Sequence, residues 1–548
     1  INNYKLYYMK QLESNESRAD MFVSAFVDGD QWSDVVNFID KMSKVNKQQV
    51  VDFANKYFAD NYALVYKRMG KDPNEKKMDK PSITPIVMNR DSVSSFLKEI
   101  QASKVTPIEP VFLDFEKDMQ KFNAKSDIEV LYKKNDMNDL FQMIYVFDMG
   151  SQNDKALGTA FSYMEYLGTS KKSLAEINKE FYRLACSFSV HPGLDRTYVV
   201  LSGLQENMPQ AMQLFEEILA DAQVDENAYK NYAADILKKR ADAKLNQSAN
   251  FSQLLSYAMW GEHSPSKNIL SEKELTEMNP QELVDRIHKF NSYKHRIMYY
   301  GPADEKELTS LIDQYHNVPA QLQDVPASAY DYKYQPTTEN KVYFAEYDAK
   351  QIYFTGISNF EKQYDAAIQP TLSMYNEYFS GGMNSIVFQE MREARSLAYS
   401  SYAFIASPSK KEYPYIFRSF IATQNDKMID AMKAFDEIIN NMPESEKAFK
   451  LAQEGTISRL RTDRITGMNI LWEYLDLQDK GIEGDPRKAL FEQAQTMTLK
   501  DVKDFQQKWV KDRKYTYCVL GNEKDLDMKS LEKYGKITKL SQKDIFGY

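Results

Sequence analysis

The chain has little cysteine, no long apolar run and no excess of positive charge. Its 548 residues include two cysteines, Cys186 and Cys518, which are too far apart in sequence for a CxxC redox pair or a cysteine zinc cluster. Two cysteines also exclude a multi-bridge disulfide framework. No stretch approaches the roughly eighteen apolar residues of a membrane-spanning helix. The net charge of -9, without a basic stripe, argues against a nucleic-acid partner.

Common catalytic motifs are also missing. The histidines are not spaced as HxxEH or HExxH, and no GxGxxG, GxxxxGK[ST] or GxSxG string occurs. His288 and His295 are seven residues apart, but a helix-to-strand junction falls between them, so we expect no shared metal-binding face. We therefore interpret the histidines as solvated or hydrogen-bonded residues, and these motifs give the chain no catalytic centre. The five histidines of the chain are His191, His263, His288, His295 and His316.

What the chain does have is the composition of a folded globular protein. Hydrophobic residues make up 43%, aromatic residues 13% and charged residues 27%, which is far from the composition of disordered chains. The length fits about two to four domains. The first residue is Ile1 and no charged-then-apolar leader follows it, so we expect a processed chain or a fragment.

An internal repeat connects the two ends of the chain. Residues 45–66 recur at residues 497–518, and Val50 and Val502, like the other matched residues, are 452 positions apart, so the match has no gap. A weaker third copy lies at residues 278–300. Each copy predicts a capped amphipathic helix followed by a short apolar strand. The strands are predicted at residues 63–66, 296–300 and 515–519.

A second repeat marks the beginning of the same module. Residues 130–167 align with residues 342–379 at a constant offset of 212. Each copy predicts a strand, a tight polar turn, a second strand and a helix, so we expect the module to begin with a strand hairpin. The chain then has three module ends but two module beginnings, which predicts that it starts inside a domain.

The most distinctive stretch begins at Tyr378 and reads YFSGGMNSIVFQEMREARSLAYSSY. Gly381–Gly382 predicts a left-handed cap at the end of one helix. Asn384 or Ser385 then predicts the N-cap of a second helix, which carries an apolar stripe. The alternation from Leu397 onward predicts a strand.

This stretch resembles the signature in the C-terminal domains of the insulinase/pitrilysin-type zinc metallopeptidases, the inverzincins. In that family a small-residue loop and an Asn-Ser-x-x-Phe helix lead through an arginine into a Leu-x-Tyr strand. The module size and the duplication are similar as well, so the resemblance covers essentially the whole chain. It implies an α+β fold of tandem homologous domains, each a mainly antiparallel sheet with helices packed on it. Such domains form a two-half clamshell around a peptide-binding chamber.

The resemblance also implies where zinc is bound. The family's HxxEH motif belongs to the first domain, which we expect to be missing from this chain. In the third domain the corresponding positions are Thr159, Ser162 and Tyr163, none of which is a good zinc ligand. Zinc is therefore expected outside this chain. The implied domains are a truncated second domain at 1–70, an inter-half linker at 71–110, a third domain at 111–325 and a fourth at 326–548.

Four site residues carry over from the family. Arg392 and Tyr399 match the arginine and tyrosine that reach across the chamber to the substrate at the zinc; a phenol can donate to an oxyanion, and a guanidinium can hold a neighbouring peptide carbonyl. Arg395 lies on the same segment, but the seven-residue spacing to Leu-x-Tyr favours Arg392. Gly381 and Gly382 match a loop that contacts substrate in some relatives, although a helix cap explains them equally well. Taken singly, dipole stabilisation explains an arginine at a helix end, and packing explains a tyrosine in a strand.

We therefore predict the C-terminal, substrate-binding part of a zinc-dependent endopeptidase. Its catalytic N-terminal half is expected on the same polypeptide or on a separate chain, and this chain alone is expected to be inactive. We expect the peptide to add to an edge strand of the chamber. The alternatives are a non-catalytic companion or scaffold subunit of the same family, and a peptide-binding protein without a hydrolytic partner. The abundance of Lys, Asn, Tyr and Met resembles exported relatives and favours the periplasm over the cytoplasm.

Overall fold

The computed structural model describes residues 1–70, 94–349, 351–398 and 400–548. These residues divide into two compact units: a smaller one formed mainly by residues 14–109, and a larger one formed by Pro110–Tyr548 together with Leu6–Glu13. The larger unit contains two six-stranded sheets with helices packed on them. The predicted α+β class, with tandem and mainly antiparallel sheets, is confirmed.

The regular structure described before Pro110 is helical. The helix at residues 47–57 agrees with the first copy of the repeat, and a capping box between Asn46 and Gln49 begins it. The strand predicted at residues 63–66 is wrong, since residues 61–68 have no regular structure. A strand needs a partner for its backbone groups, and the described part of residues 1–70 contains no other strand. The helices are α1 (Asn2–Glu13), α2 (Asn15–Asp28), α3 (Trp32–Val36), α4 (Phe38–Ser43), α5 (Lys47–Tyr57) and α6 (Ser95–Ala102).

The first module contains the first sheet, with strand order β1-β2-β6-β3-β5-β4. All neighbouring strands are antiparallel except the β2–β6 pair. The strands are β1 (Gln120–Ala124), β2 (Ile128–Lys134), β3 (Leu140–Phe147), β4 (Cys186–Pro192), β5 (Thr197–Leu204) and β6 (Arg296–Gly301). The helices are α7 (Phe115–Asp118), α8 (Leu157–Met164), α9 (Leu174–Leu184), α10 (Met208–Asp221), α11 (Glu226–Lys244), α12 (Gln247–Trp260), α13 (Glu272–Glu277), α14 (Gln281–Phe290) and α15 (Glu305–Tyr315).

The second module repeats this plan, with strand order β12-β7-β11-β8-β10-β9. Here β7 is parallel to both β11 and β12, and the other pairs are antiparallel. The strands are β7 (Lys341–Glu346), β8 (Gln351–Gln363), β9 (Ser400–Ala406), β10 (Pro414–Gln424), β11 (Thr516–Gly521) and β12 (Lys536–Leu540). The helices are α16 (Gln369–Ser380), α17 (Met428–Asn440), α18 (Glu446–Thr462), α19 (Met468–Lys480), α20 (Arg487–Ala494), α21 (Leu499–Trp509), α22 (Met528–Leu531) and α23 (Gln542–Phe546), with a π-helix at Phe388–Ala394.

The strand hairpin predicted at the start of each module is wrong, because the strand that ends the module inserts between its two arms. β6 lies between β2 and β3, and β11 lies between β7 and β8 in the same way. The turn from β2 to β3 therefore spans two strand spacings, about 10 Å. Asn135 fixes this turn: its N–H donates to the carbonyl of Gly301 at 2.8 Å, and its side-chain amide donates to the carbonyl of Leu140 at 2.9 Å. The two repeats seen separately in the sequence thus meet in one sheet.

Each sheet packs helices of its own module on one face and a helix of the other module on the opposite face. In the first sheet Val130 faces the helices of its own module, whereas its neighbour Leu131 contacts α19 of the second module. In the second sheet Val519 faces its own helices, and Leu520 contacts α12 of the first module. We call α12 and α19 the exchange helices. Because each one removes an apolar sheet face of the other module from water, the two modules form one larger unit.

Candidate functional site

The predicted site residues lie on one continuous segment between α16 and β9. The N–H of Gly381 donates to the carbonyl of Glu377 at 2.9 Å. Its φ is −78°, so the left-handed cap predicted here is wrong. Glycine is required for another reason, because a β-carbon at this position would lie 2.5 Å from the Cα of Glu377. A β-carbon on Gly382, in contrast, would meet nothing within 4 Å.

Ser385 closes the turn that follows the glycines. Its N–H and its hydroxyl both donate to the carbonyl of Gly382, at 3.0 and 2.6 Å. Ser385 directly precedes the helical residues that lead into the π-helix, as predicted, but its hydroxyl bonds back to Gly382 instead of capping the helix. Met383 projects from this turn into solvent. The turn is therefore held by its own hydrogen bonds and exposes a large apolar side chain.

The helix after the turn has the wide π geometry from Phe388 to Ala394. Helices of this kind are rare and are found frequently at functional sites. The predicted apolar stripe is present, since Ile386 and Met391 are buried in the core of the second module and Phe388 is half-buried. The residues after Met391 are exposed as far as Ser396. One side of the π-helix is thus buried in the core of the second module, and the other side faces solvent.

The two arginines of this segment have different surroundings. Arg395 forms ion pairs with Glu437 of α17 at 2.9 Å and with Glu390 at 3.4 Å. The guanidinium of Arg392 lies 5.0 Å from the centroid of the Phe388 ring and 3.9 Å from the carboxylate of the adjacent Glu393, and 43% of its side chain is exposed. Arg395 therefore ties the segment to α17, whereas Arg392 lies on the exposed side of the π-helix, and its role remains a prediction.

The backbone between the π-helix and β9 is strained and anchored. Ser396 has a φ of 48°, a left-handed conformation that residues other than glycine adopt infrequently. The N–H of Leu397 donates to the carbonyl of Met391 at 2.9 Å, and its carbonyl accepts from the hydroxyl of Thr423 on β10 at 2.5 Å. Tyr399 itself lies outside the described residues, so its role remains a prediction.

Part of the outer edge of β9 is occupied by α16. The side-chain oxygen of Asn376 accepts from the N–H of Ile405 at 2.9 Å, and the amide of Asn376 donates to the Ile405 carbonyl at 3.0 Å. The hydroxyl of Ser380 accepts from the N–H of Ala403 at 3.0 Å. These side chains already satisfy backbone groups that an added strand would need. A peptide therefore cannot pair with β9 at Ala403 and Ile405.

The described residues do not fit a zinc site. No group of three His, Cys, Asp or Glu side chains that could hold a metal occurs within the described ranges. The positions expected to replace the zinc motif lie on or beside one turn of α8, where Tyr163 is buried and its hydroxyl donates to the carbonyl of Asp225 at 2.7 Å. Thr159 and Ser162 offer only neutral hydroxyls. We therefore assign no step that requires zinc to the residues of this chain.

Two histidines form a buried polar network that sequence reasoning missed in part. The Nδ1 of His316 lies 2.6 Å from a carboxylate oxygen of Glu216, and its Nε2 lies 2.9 Å from the Nε2 of His295. Asn291 donates to the other oxygen of Glu216 at 2.9 Å. The prediction that the histidines are hydrogen-bonded is confirmed for this pair. Glu216 gave no signal in the sequence because it lies 100 residues from its histidine partner.

Two family profiles match the larger unit. The profile of the insulinase family, peptidase family M16, matches residues 129–273, and the profile of the peptidase M16 inactive domain matches residues 279–455. The two matches together span more than half of the chain.

Curated relatives are remote, and the chain spans only part of their length. It is 24% identical over 251 residues to an uncharacterized zinc protease, YmxG, of Bacillus subtilis, a match that covers 45% of this chain and 59% of that protein. It is 22% identical over 176 residues to the beta subunit of the mitochondrial-processing peptidase of Neurospora crassa, covering 31% of this chain and 37% of that subunit. Zinc proteases are thus among the relatives of this chain.

Solved structures share the fold at low sequence identity. A peptidase M16 inactive domain from Pseudomonas fluorescens has a TM-score of 0.58 and 17% identity, covering 74% of this chain and 98% of its own. The periplasmic protease PqqL of Escherichia coli has a TM-score of 0.59 and 12% identity, covering 89% of this chain and 52% of its own. Together with the profile matches, these similarities confirm the resemblance seen in the segment around Arg392. The chain belongs to the insulinase family, peptidase family M16.

Proposed function

We propose that this chain is the substrate-binding part of a zinc-dependent endopeptidase whose zinc site lies on a separate catalytic half. The observation that carries this proposal is the segment after α16. There, an exposed Arg392 on a π-helix is followed by a strained backbone at Ser396 and an anchored Leu397. Strain of this kind clusters at functional sites, where the surrounding structure maintains it.

Each residue of this segment has a role that suits its chemistry. Arg392 holds a peptide carbonyl near the bond that is cleaved, since a guanidinium carries several donors and a permanent charge. Tyr399, which follows the anchored Leu397, donates from its phenol to the oxygen that gains negative charge in the transition state. The exposed turn at Gly381 and Gly382 contacts the peptide chain beyond the cleaved bond.

We further propose that the substrate peptide pairs with an edge strand, though not with the central part of β9. Pairing through backbone hydrogen bonds would accept peptides of many sequences. Because α16 already occupies backbone groups of Ala403 and Ile405, the pairing edge is not this part of β9. An edge supplied by the catalytic half meets this condition.

A non-catalytic companion subunit is the second candidate function. The match to the inactive-domain profile and the neutral residues at Thr159, Ser162 and Tyr163 favour it. The two functions differ in the partner: a catalytic half carries HxxEH, whereas the partner of a structural companion needs no zinc motif in the paired module.

We propose export to the periplasm as the site of action, with the cytoplasm as the alternative. A structural neighbour, PqqL, is a periplasmic protease. Within the residues described, no helix is both long and apolar enough to cross a membrane. Fractionation of the source cells, with antibody detection of this chain, separates the two compartments.

Peptide cleavage tests the proposed function directly. The purified chain is mixed with a quenched fluorescent peptide in three arms: alone, with added zinc, and with the catalytic half of the enzyme. We expect cleavage only in the third arm, and a chelator should abolish it. Chelator-sensitive cleavage by the chain alone would overturn the proposal, and no cleavage with a zinc-loaded partner half would favour the companion subunit.

A further inference from the structure

The two exchange helices use the same four positions to contact the other module. Each ends at a glycine with positive φ, Gly261 after α12 and Gly481 after α19. The contact positions lie seven, six, three and two residues before that glycine. In α12 they are Leu254, Leu255, Ala258 and Met259, and in α19 they are Tyr474, Leu475, Gln478 and Asp479.

The residues at these positions are in contact with the opposite module in both cases. Leu254 and Leu475 are almost completely buried, at 0% and 2% exposure. The sulfur of Met259 accepts a hydrogen bond from the guanidinium of Arg418 on β10 at 2.9 Å. Asp479 binds Arg196, which lies beside β5 of the first module. These four positions therefore belong to the face with which an exchange helix meets a foreign sheet.

The helix α2 has 14 residues, close to the 14 of α12 and the 13 of α19, and like them it is followed by a glycine with positive φ. It ends at Gly29 with a φ of 75°, and Gly29 and Gly481 are separated by the same 452 positions as the sequence repeat. The Ser14 hydroxyl caps its start by accepting from the N–H of Ser17. Its four corresponding positions are Phe22, Val23, Phe26 and Val27.

All four side chains of this α2 face are exposed and apolar. The exposed fractions are 58% for Phe22, 58% for Val23, 88% for Phe26 and 73% for Val27. Large apolar residues grouped on one helix face in this way mark an interaction surface. At the same positions the exchange helices bury Leu254, Ala258 and Leu475, so the α2 face has the composition of a contact surface.

The two sheets described in this chain already have helices packed on both faces. The first sheet is covered by its own helices and by α19, and the second by its own helices and by α12 and α23. A second copy of the chain has the same two sheets, equally covered. A helix of the α2 type therefore needs a third sheet.

We propose that α2 is a third exchange helix, which docks on the free sheet face of another module of the same α+β type. This inference rests on the proposed function, because the catalytic half is where such a module is expected. The chemistry of the receiving face can also be stated. In α19 the last two contact positions are Gln478 and Asp479, which meet Arg296 and Arg196. In α2 they are Phe26 and Val27, so the receiving sheet has apolar side chains where the first module has arginines.

Photo-crosslinking identifies the occupant of this surface. The gene product is expressed in its own cells with p-benzoylphenylalanine in place of Phe26, and crosslinked peptides are identified by mass spectrometry. We expect adducts with sheet residues of a third module of this family. Adducts only with this chain or with an unrelated protein, or the absence of any adduct, would overturn the proposal.

A matched pair of variants tests the strength of the contact. Phe26→Asp should weaken the association with the crosslinked partner by about 30-fold or more, as for a central interface residue. The control is Leu245→Asp, which is also highly exposed, lies outside the α2 face and should leave the association unchanged. Circular dichroism checks that both variants fold. Equal affinities of Phe26→Asp and the parent chain would also contradict the proposal.

The two proposals fail in distinguishable ways. If α2 crosslinks to a third module that lacks HxxEH, the exchange contact stands and the zinc peptidase function fails. If the catalytic half restores peptide cleavage while Phe26 crosslinks elsewhere, the function stands and the exchange contact fails.

Discussion

Arg196 and Asp479 form a bidentate pair that joins the two modules of the larger unit. The Nη1 and Nη2 atoms of Arg196 donate to the two carboxylate oxygens of Asp479 at 2.8 and 3.0 Å. Asp148 accepts from the Nε of the same guanidinium at 2.7 Å. Arg196 is largely buried, so its charge depends on these carboxylates for compensation.

Removing this guanidinium should therefore destabilise the protein. Arg196→Ala should lower the free energy of unfolding by about 2–3 kcal/mol, because two carboxylates lose charged hydrogen bonds. Urea unfolding followed by circular dichroism measures the change. The control is Lys239→Ala, which removes an exposed i,i+4 pair with Asp235 and should cost less than about 0.5 kcal/mol. Equal effects of the two substitutions would show that the pair does not stabilise the modules.

The stability of the protein should fall in mild acid through His295. Burial, together with the neighbouring His316, lowers the pKa of His295 to about 3 from an ordinary value of 6.5. Its Nδ1 donates to the carbonyl of Tyr293 at 2.8 Å, so its Nε2 is an acceptor toward His316. The unfolded chain takes up a proton below pH 6.5 while the folded chain does not, so the stabilisation is complete above that pH and is lost below it.

The size of this acid effect can be measured by urea unfolding. From this group alone, the free energy of unfolding near pH 5 should be about 2 kcal/mol below its value near pH 8. His295→Gln should flatten the dependence in this window, whereas His191→Gln, at an exposed position, should leave it unchanged. If the pH dependence of His295→Gln matched that of the parent chain, His295 would not be its source.

The two adjacent glycines of the site should respond differently to alanine. Gly381→Ala brings a β-carbon to 2.5 Å from the Cα of Glu377, so we expect it to lower the free energy of unfolding by about 2 kcal/mol. Gly382→Ala meets no neighbouring atom and should change stability by less than about 0.5 kcal/mol. A loss of peptide affinity in Gly382→Ala, measured by fluorescence anisotropy, would then report substrate contact without a folding defect. Equal stability of the two variants would contradict the close approach at Gly381.

The two arginines of the site should separate stability from activity. In the reconstituted enzyme, Arg392→Ala should lower kcat/KM by about 10–100-fold, with little change in unfolding free energy, because its side chain is half-exposed. Arg395→Ala should lower the stability by about 0.5–1 kcal/mol through the lost pairs with Glu437 and Glu390, and should largely preserve kcat/KM. The reverse pattern would assign the substrate contact to Arg395.

Tyr399→Phe should slow the chemical step of the intact enzyme. Loss of one donor to the developing oxyanion typically lowers kcat by about 10-fold or more, and KM should change little. The control is Tyr402→Phe, since the ring of Tyr402 packs against Phe404 and Phe420. Steady-state kinetics on a fluorescent peptide distinguish the two variants. An unchanged kcat in Tyr399→Phe would remove the tyrosine from the mechanism.

The local sequence pattern predicted individual helices and strands of this fold well, but it predicted poorly which strands lie next to each other. The helices at residues 281–290 and 499–509 and the strands that follow them, β6 and β11, agree with the repeat. The same pattern at residues 63–66 produced no strand, because apolar alternation indicates a face to be buried but does not supply a pairing partner. The helix boundary predicted at Gly381 is right, but for the wrong reason, since close approach to Glu377 requires the glycine.

The sequence by itself determined the module repeat, the lack of a zinc motif and the signature around Arg392, because each of these is written in residue types at short spacing. Only the tertiary structure decided that β6 inserts between β2 and β3, that α12 and α19 are exchanged, and that Asn376 occupies the edge of β9. The physical reason is common to all three. Hydrophobic burial and backbone hydrogen bonding stabilise a contact whatever the distance between its residues along the chain. Several strands and helices are equally apolar or equally polar, so the packing of the whole unit decides which of them contact each other.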